Sequence, residues 1–382
     1  MIGGGSLGSL IALRLSNIGM NVEIFETKSE LFKGASYLGE GKIHLGYTYG
    51  LAQDSSLEQL IESAFSFTEI MESSLCKTLD WKNITSIPFT YNIAHDSLIS
   101  PHMFVNHTQK IMQIIQRRIH LQSYLGMHFQ KNIEVKRMSE NSFATLERAV
   151  DVEKLQEIIL VELKTRDNIK IHLNHEISLI ETNISNKYSL CSKTTLIEKK
   201  FDYIINCTWA KRFLLDKLFF SNLPEFNYRT KLYVSAKTKL QEAAVTTILG
   251  KHGDLVIFNT GRLYASDYLT GLTSFTNGNS TIFEERESLP EELTTKHWDY
   301  IKYRFSHFVP ELYEITDITT FERTVVAQGD SDIDQIGSGL HDRSPYYIAR
   351  KGNYISALGT KFTTIPKLAK KIVDGISSDG FK

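Results

Sequence analysis

The sequence contains little cysteine: the 382-residue chain has only 3, at Cys76, Cys191 and Cys207. An odd number at such wide spacings excludes a disulfide framework and matches no pattern of metal ligands. Cysteines used in this way are typical of a reducing compartment, so we expect a cytoplasmic protein that needs no metal.

A strong charge of either sign is also lacking, because 43 Lys and Arg residues balance 44 Asp and Glu residues to a net charge of −1. No basic field exists to attract nucleic acid, so we expect no nucleic-acid partner. No apolar run reaches the roughly 18 residues of a membrane span, so we expect no transmembrane segment. Proline is sparse, at 7 residues, and no Pro/Gly/Ser-rich linker divides the chain, which favours interleaved domains.

The chain does contain a glycine motif at its start, in MIGGGSLGSLIALRLSNIGMNVEIFE. Gly3, Gly5 and Gly8 fit G-x-G-x-x-G, the turn that brings a dinucleotide diphosphate to a helix N-terminus. Apolar residues at helical spacing predict a helix from Ser6 to Ile18, followed by a strand that ends near Glu26. Glu26 lies 18 residues after Gly8, close to the spacing at which an acid binds a ribose. The negative charge disfavours NADP and leaves NAD and FAD open.

The strand that should precede this motif is nearly absent, since only Met1 and Ile2 stand before Gly3. An ordinary strand has about five or six residues. Either the start of the gene is placed too far downstream, or the domain lacks most of its central strand. We favour the first hypothesis, which mass spectrometry of the native protein tests.

Further along the chain, hydrophobic periodicity predicts helices at residues 55–75, 103–119 and 149–166. Strand patterns occupy residues 168–181 and 201–210, and residues 213–325 are rich in β-forming residues. The pattern of residues 352–376 predicts a strand, a glycine turn and the last helix of the chain. The pattern indicates a Rossmann-like unit interleaved with a second sheet.

Three separated blocks together resemble a known family, namely GGGSLG…VEIFE, GASYLGEGKIHLGYTYG and LHDRSPYYIARKGNYISALGTKFTTIPKLAKKIVD. The chain resembles the FAD-dependent oxidoreductases of the D-amino-acid oxidase (DAO) family, and within it is similar to glycerol-3-phosphate and L-2-hydroxyglutarate dehydrogenases. The resemblance covers both ends and the middle of the chain, while residues 213–320 match nothing we can name. It favours FAD over NAD, because the family's second glycine turn lies against the flavin ring.

The resemblance also implies a set of FAD contacts. They are Gly3, Gly5, Ser6 and Gly8 at the diphosphate, Glu26 at the ribose, Ser36 at the phosphates, Lys42 and Ile43 beside the flavin, Ile177 at the adenine, Thr208 and Trp209 along the dinucleotide, and Gly359, Lys361, Phe362 and Thr363 over the pyrimidine edge of the flavin. Independently of the family, a helix that begins just after Lys361, capped by Thr363 or Thr364, would offer free N–H groups to negative charge on a reduced flavin.

Hydride transfer to a flavin needs a substrate C–H on a carbon that bears O–H or N–H, held over the ring. His44, which matches the family's histidine, is the first candidate for a residue near that carbon. The alternative is a histidine bonded within a tight loop. Tyr47 and Tyr49 alternate, so in an extended segment both would face one side. We take Tyr47 as a catalytic candidate, although core packing explains it equally well.

Arg323 and Arg343 are the candidates for binding an anionic group of the substrate, because a guanidinium suits carboxylate or phosphate. A surface ion pair with Glu322 or Asp342 is the alternative for each. Cys207 has no partner cysteine nearby and is best read as a buried apolar thiol.

These inferences predict an α/β (α+β overall) protein whose discontinuous FAD-binding domain comprises residues 1–75, 146–212 and 325–382. Residues 76–145 and 213–324 would form a substrate domain on a mixed or antiparallel sheet. The predicted function is FAD-dependent oxidation of a small anionic amine or hydroxy compound, with the electron acceptor left open. The alternatives are an NAD-linked dehydrogenase, or a non-catalytic FAD-fold remnant that acts as a partner subunit.

Overall fold

The computed structural model describes residues 1–52, 54–117, 123–128, 135–182, 187–192, 196–277, 286, 288–328, 332, 334–336, 338 and 346–378. The α-helices of this part of the chain are α1 (Ser6–Asn17), α2 (Asp54–Leu75), α3 (Trp81–Ile84), α4 (Pro101–Arg117), α5 (Val152–Lys164), α6 (Phe213–Asp216), α7 (Tyr268–Gly271), α8 (Glu291–Phe305) and α9 (Ile365–Ser378). Short 3-10 helices span Trp209–Lys211, Pro310–Glu314 and Phe362–Thr364.

The strands are β1 (Val22–Phe25), β2 (Lys42–Ile43), β3 (Thr90–Ile93), β4 (Ser123–Tyr124), β5 (Met127–His128), β6 (Lys136–Arg137), β7 (Ser142–Ala144), β8 (Arg148–Ala149), β9 (Ile169–His172), β10 (Ile177–Thr182), β11 (Tyr188–Ser192), β12 (Leu196–Phe201), β13 (Ile204–Asn206), β14 (Phe226–Lys237), β15 (Ala243–Ile248), β16 (Gly253–Ile257), β17 (Arg262–Asp267), β18 (Leu272–Asn277), β19 (Thr319–Gln328), β20 (Tyr346–Lys351) and β21 (Tyr354–Gly359).

The residue before the glycine motif lies at the centre of a mostly parallel sheet. Ile2 forms parallel bridges with Phe25 of β1 on one side and with Asn206 of β13 on the other. Beyond these neighbours, β1 pairs with β9 and β13 pairs with β21, both in parallel. The backbone N–H of Cys207 donates to the carbonyl of Ile2 at 2.8 Å. Ile2 therefore occupies the central position of this sheet.

The carboxyl ends of these parallel strands meet at one edge of the sheet. Gly3, Glu26, Thr208 and Gly359 each lie at or just beyond such an end, and all of them line one cleft. Ligands of open α/β sheets bind at this edge. Helices α1 and α9 pack against each other, so the first and last helices of the chain belong to the same unit.

The second sheet has nine strands in the order β18-β14-β17-β16-β15-β3-β7-β6, with β19 also paired to β14. Side chains of β14 alternate between its two faces. Val234 packs with Trp298 and Ile301 of α8 in a core of its own, whereas Tyr233 lines the cleft. Each large apolar side chain buried in this way contributes about 1.5–3 kcal/mol. The sheet therefore presents one face to a helix and the other to the cleft.

The predicted fold class is confirmed, and the predicted helices lie close to their observed bounds. The strand predicted for residues 201–210 is shorter, since β13 spans only Ile204–Asn206 and Trp209–Lys211 is a 3-10 helix. The helix predicted for residues 103–119 is seen as α4, and its last two residues lie outside the described part of the chain. The boundaries between the FAD-binding and substrate domains stay a prediction.

Candidate active site

The cleft has a volume of about 790 Å³, within the roughly 300–1,000 Å³ of ligand and cofactor sites. We call the wall formed by loops of the parallel sheet the nucleotide side and the wall formed by the nine-stranded sheet the substrate side, after the roles predicted for them. Cleft-lining residues among the predicted ones are Gly3, Gly5, Ser6, Glu26, Ser36, Lys42, His44, Ile177, Thr208, Trp209, Arg323, Gly359, Lys361 and Phe362.

The glycine loop, residues 3–8, leaves no room for side chains on its inner surface. Gly3 has φ of +97°, and a Cβ there would lie 2.7 Å from the carbonyl oxygen of Cys207. A Cβ on Gly8 would lie 2.0 Å from the carbonyl oxygen of Gly3. Gly8 is thus buried behind the loop, and it permits the close approach of α1 to the sheet.

The first turn of α1 is arranged to receive an anion. The turn has no acidic side chain, and Gly5 supplies no side-chain cap. The N–H of Ser6 donates to Ser36 Oγ at 2.9 Å, which fixes the 34–41 loop over the helix N-terminus. The N–H groups of the turn beyond Ser6, together with the helix dipole, favour a phosphate group at this position.

Glu26 lies at the end of β1, where the sequence places it. Its carboxylate accepts hydrogen bonds from the N–H of Gly4 at 2.7 Å and of Lys28 at 3.0 Å. These bonds hold the carboxylate on the cleft wall, and its role at the ribose stays a prediction. Cys207 lines the same wall, and burial raises the pKa of its thiol to about 12, so it is an apolar lining group.

The terminal turn, residues 359–364, closes onto the segment that carries His44. Thr363 Oγ1 accepts from the N–H of His44 at 2.9 Å and donates to the carbonyl of Lys42 at 3.2 Å. Gly359 and Lys361 line the cleft beside the glycine loop. Residues more than 300 positions apart in sequence therefore form one site.

Of the two caps predicted for the last helix, Thr363 is wrong, and Thr364 stands directly before α9. The hydroxyl of Thr363 is used across the cleft floor, and that of Thr364 donates to the carbonyl of Lys361 at 2.8 Å. The segment begins as a 3-10 turn over Phe362–Thr364 before α9 starts at Ile365. Thr363 and the fully buried Ile43 thus lie behind the cleft surface.

His44 stands beside a buried carboxylate that sequence reasoning missed. Its Nδ1 lies 3.4 Å from Oε1 of Glu147, which is fully buried. Glu147 also accepts a hydrogen bond from the N–H of Leu45 at 2.6 Å and another from the hydroxyl of Tyr91. A lone glutamate in the stretch ATLERAV carries no motif, so only the folded chain brings it to His44.

Burial, which outweighs the opposing effect of Glu147, lowers the pKa of His44 to about 4. The imidazole is therefore neutral at pH 7. An ionised carboxylate only accepts, so we expect Nδ1, which approaches Glu147 without meeting the geometry of a hydrogen bond, to carry the ring proton and Nε2 to keep its lone pair. His44 lines the cleft, so the arrangement supplies a proton acceptor there.

Lys42 also lines the cleft, but its ammonium group is held by the substrate side. It contacts Asp254 at 2.6 Å, Glu40 at 2.7 Å and Thr246 Oγ1 at 2.6 Å. Burial opposes its charge, yet Asp254 and Glu40 outweigh burial and raise the pKa of Lys42. Burial and Asp254 raise the pKa of Glu40 to about 7 against the effect of Lys42.

The two tyrosines that follow His44 do not face one side. A turn closed by the N–H of Tyr49 and the carbonyl of Gly46 replaces the extended segment. Tyr49 lines the cleft with its ring 5.4 Å from that of His44. Tyr47 is fully buried against Tyr91 and does not line the cleft, so nothing in its position supports a catalytic role.

Arg323 lines the cleft on β19 with its guanidinium over the rings of Tyr37 and Phe321. The carboxylate of Glu322 is paired with Arg286 at 2.6 Å, and Arg323 donates to the backbone carbonyl of Glu322 at 2.6 Å. Arg343 lies outside the described residues.

Three features of the described residues fit a dinucleotide. The glycine loop has space that a Cβ would fill, the N-terminus of α1 offers N–H groups, and an acid is held at the end of β1. The model of the DAO family, FAD dependent oxidoreductase, matches residues 1–374. The chain belongs to the family of FAD-dependent oxidoreductases. Its cofactor is FAD, as predicted, and the family assignment is confirmed.

Solved structures with the same fold include several oxidoreductases. Glycine oxidase from Geobacillus kaustophilus is 12% identical, with a TM-score of 0.67 over 99% of this chain and 93% of that one. L-proline dehydrogenase from P. horikoshii is 15% identical, with a TM-score of 0.67 over 100% and 93%. L-alpha-glycerophosphate oxidase from Mycoplasma pneumoniae, with FAD bound, is 15% identical, with a TM-score of 0.62 over 98% and 93%. A search of curated proteins finds no match.

None of the helices in the described part of the chain is long and apolar enough to span a membrane.

Proposed function

We propose that this FAD-dependent oxidoreductase oxidises a small anionic amine or hydroxy compound at the carbon that bears the N–H or O–H group. FAD supplies the hydride acceptor when it is bound. The residues of this chain bind the substrate, orient it and accept the proton of its N–H or O–H group.

The observation that carries the proposal is the neutral His44 on the cleft wall, with Glu147 behind it. Because its pKa is about 4, His44 is a weak base, so it is expected to take the proton of a substrate N–H or O–H group only as the hydride leaves the same carbon. Glu147 fixes the tautomer from the buried side and is a positioning residue. Thr363 fixes the backbone of His44, which ties the base to the turn that the family places at the flavin.

The anionic part of the substrate is expected at Arg323, which lines the same cleft. Its planar guanidinium can bind two oxygens of a carboxylate or phosphate. Arg343 stays a prediction. The electron acceptor stays open between O₂, a quinone and a protein.

An absorbance spectrum and an anaerobic bleaching screen test the proposal. Bands at roughly 370 and 450 nm, typical of bound flavin, should bleach with at least one compound among amino acids, hydroxy acids and sugar phosphates. His44→Ala should keep the colour and slow bleaching about 100-fold or more, the usual contribution of a general base. The control is His95→Ala, whose side chain is 96% exposed.

The pH profile separates a base from a packing residue. Because protonation inactivates the base, kcat/KM should fall on the acid side as the pH drops through about 4, the pKa of His44. Glu147→Gln should move this acid-side fall of kcat/KM to lower pH, since Glu147 raises the pKa of His44. A coloured protein that no compound bleaches would instead support a non-catalytic partner subunit, and bleaching unchanged in His44→Ala would remove His44 from the site.

A further inference from the structure

Lys231 is a buried cation on the substrate side of the cleft. It lies in the middle of β14, its exposed fraction is 3%, and it lines the cleft. A shift in strand register between Thr230 and Lys231, opposite β18, lies at this point. The short helix α7 stands between β17 and β18 and places the ring of Tyr268 only 3.6 Å from Lys231 Nζ. The surroundings of Lys231 are thus formed by β14, by β18, and by α7, which connects β17 to β18.

No carboxylate in the described ranges lies within ion-pair distance of Lys231. The nearby acids Glu40 and Asp254 are instead bonded to Lys42. The contacts of the Lys231 ammonium are the faces of Tyr268 and, at 5.4 Å, of Tyr233. Such rings stabilise a cation in part. The charge of Lys231 also lowers the pKa of Glu40 and of Asp254, so these carboxylates offset it in part from a distance. A direct anionic partner, which usually offsets the lost hydration of a buried ammonium, is absent among the described residues.

A second cation stands directly opposite on the next strand. Lys231 of β14 and Arg323 of β19 are Cα partners in the antiparallel ladder. Opposed residues share one face of a sheet, and both of these line the cleft. Like charges placed opposite one another destabilise a sheet. Their shared orientation toward a ligand cleft points to a negative group between them.

We propose that Lys231 and Arg323 together bind the oxyanionic group of the substrate, and that the two cations select a dianion over a monoanion. This inference rests on the proposed function for the identity of the ligand as substrate. The dianion is either a phosphate ester or a pair of carboxylates, because both present several oxygens to an ammonium and a guanidinium. The rings of Tyr268 and Tyr233 flank the ammonium group of Lys231.

Calorimetric titration of the FAD-loaded protein with malonate, inorganic phosphate and acetate tests the pair without turnover. We expect malonate or phosphate to bind at least tenfold more tightly than acetate. Lys231→Met should remove that preference, and Lys231→Arg should retain it. The matched control is Lys237→Met, the same change on the same strand at an exposed position paired with Glu153.

Tighter binding of phosphate would identify a phosphate ester, and tighter binding of malonate a dicarboxylate. Equal binding of all three anions by the native protein would overturn the proposal, even if the Lys231 variants failed to fold. So would a dianion preference that survives in a folded, yellow Lys231→Met protein. If the anions bind through Lys231 but no compound bleaches the flavin, the anion site of Lys231 and Arg323 is supported and the proposed oxidation is contradicted. If a compound bleaches the flavin but the protein shows no preference for dianions, the oxidation is supported and the anion site is contradicted.

Discussion

The two sides of the cleft are built by different means. The nucleotide side presents mainly backbone N–H groups and the carboxylate of Glu26, and glycines at fixed local spacing leave room for the backbone. The substrate side presents charged and aromatic side chains from strands distant in sequence. The first side follows from a short motif, because every part of it is local. The substrate side depends on the pairing of long strands, so the role of each charged residue there can be assigned only when its neighbours in space are known.

The largest expected effect comes from breaking the link between the two sides. Arg262 of β17 and Asp151, the N-cap of α5, form an ion pair at 2.7 Å, and both side chains are fully buried. Arg262 also donates to the carbonyls of Leu38 and Gly39 in the loop over the glycine motif. Arg262→Met leaves a buried carboxylate without its partner, so we expect a loss of about 3–5 kcal/mol in the free energy of unfolding. Urea denaturation measures it.

A double variant tests whether that loss is electrostatic. Asp151→Ser keeps a helix cap but removes the charge, so it should recover part of the stability lost in Arg262→Met. Lys237→Met, which breaks an exposed pair, should change stability by less than about 1 kcal/mol. No recovery in the double variant would mean that packing of the guanidinium, rather than its charge, joins the two sides.

A smaller loss is expected when the glycine loop itself is altered. The Cβ of Gly8→Ala would lie 2.0 Å from a backbone oxygen, so α1 must move away from the sheet. We expect a loss of about 3 kcal/mol, the upper part of the usual range for overpacking, and release of FAD on gel filtration. Gly375→Ala in α9 is the matched control, because its Cβ meets no atom within 4 Å. Full retention of FAD by Gly8→Ala would show that the nucleotide side tolerates side chains after all.

The same contrast explains what the sequence could and could not predict. The glycine loop, Glu26 and the terminal turn were predicted in their correct places, because local spacing and a family resemblance both mark them. Glu147 and Lys231 were missed. Glu147 reaches His44 across 103 residues of chain, and Lys231 meets Arg323 only through the β14–β19 register. Neither residue has a local pattern that marks it.

The wrong predictions near His44 have a similar cause. Alternation of Tyr47 and Tyr49 predicts one shared face only if the backbone is extended, and Gly46, with φ of +104°, turns the chain instead. Thr363 looks like a helix cap in sequence, but its hydroxyl serves a segment 319 positions away. In both cases a tertiary contact, or the turn that permits it, overrides the local signal.

The smallest expected effect concerns acid stability on the substrate side. His297 of α8 is fully buried, and burial, aided by the charge of Lys231, lowers its pKa to about 4. Between this value and the ordinary 6.5, the unfolded chain binds a proton that the folded chain does not, so stability is complete above pH 6.5 and falls as the pH drops toward 4. From pH 7 to pH 5, His297 should cost about 2 kcal/mol. Urea denaturation of His297→Gln should therefore show a pH-dependent loss smaller by about that amount, whereas the exposed control His95→Gln should match the native protein. An equal pH dependence in all three proteins would mean that His297 is not held neutral by its surroundings, and that the charge of Lys231 is screened from it.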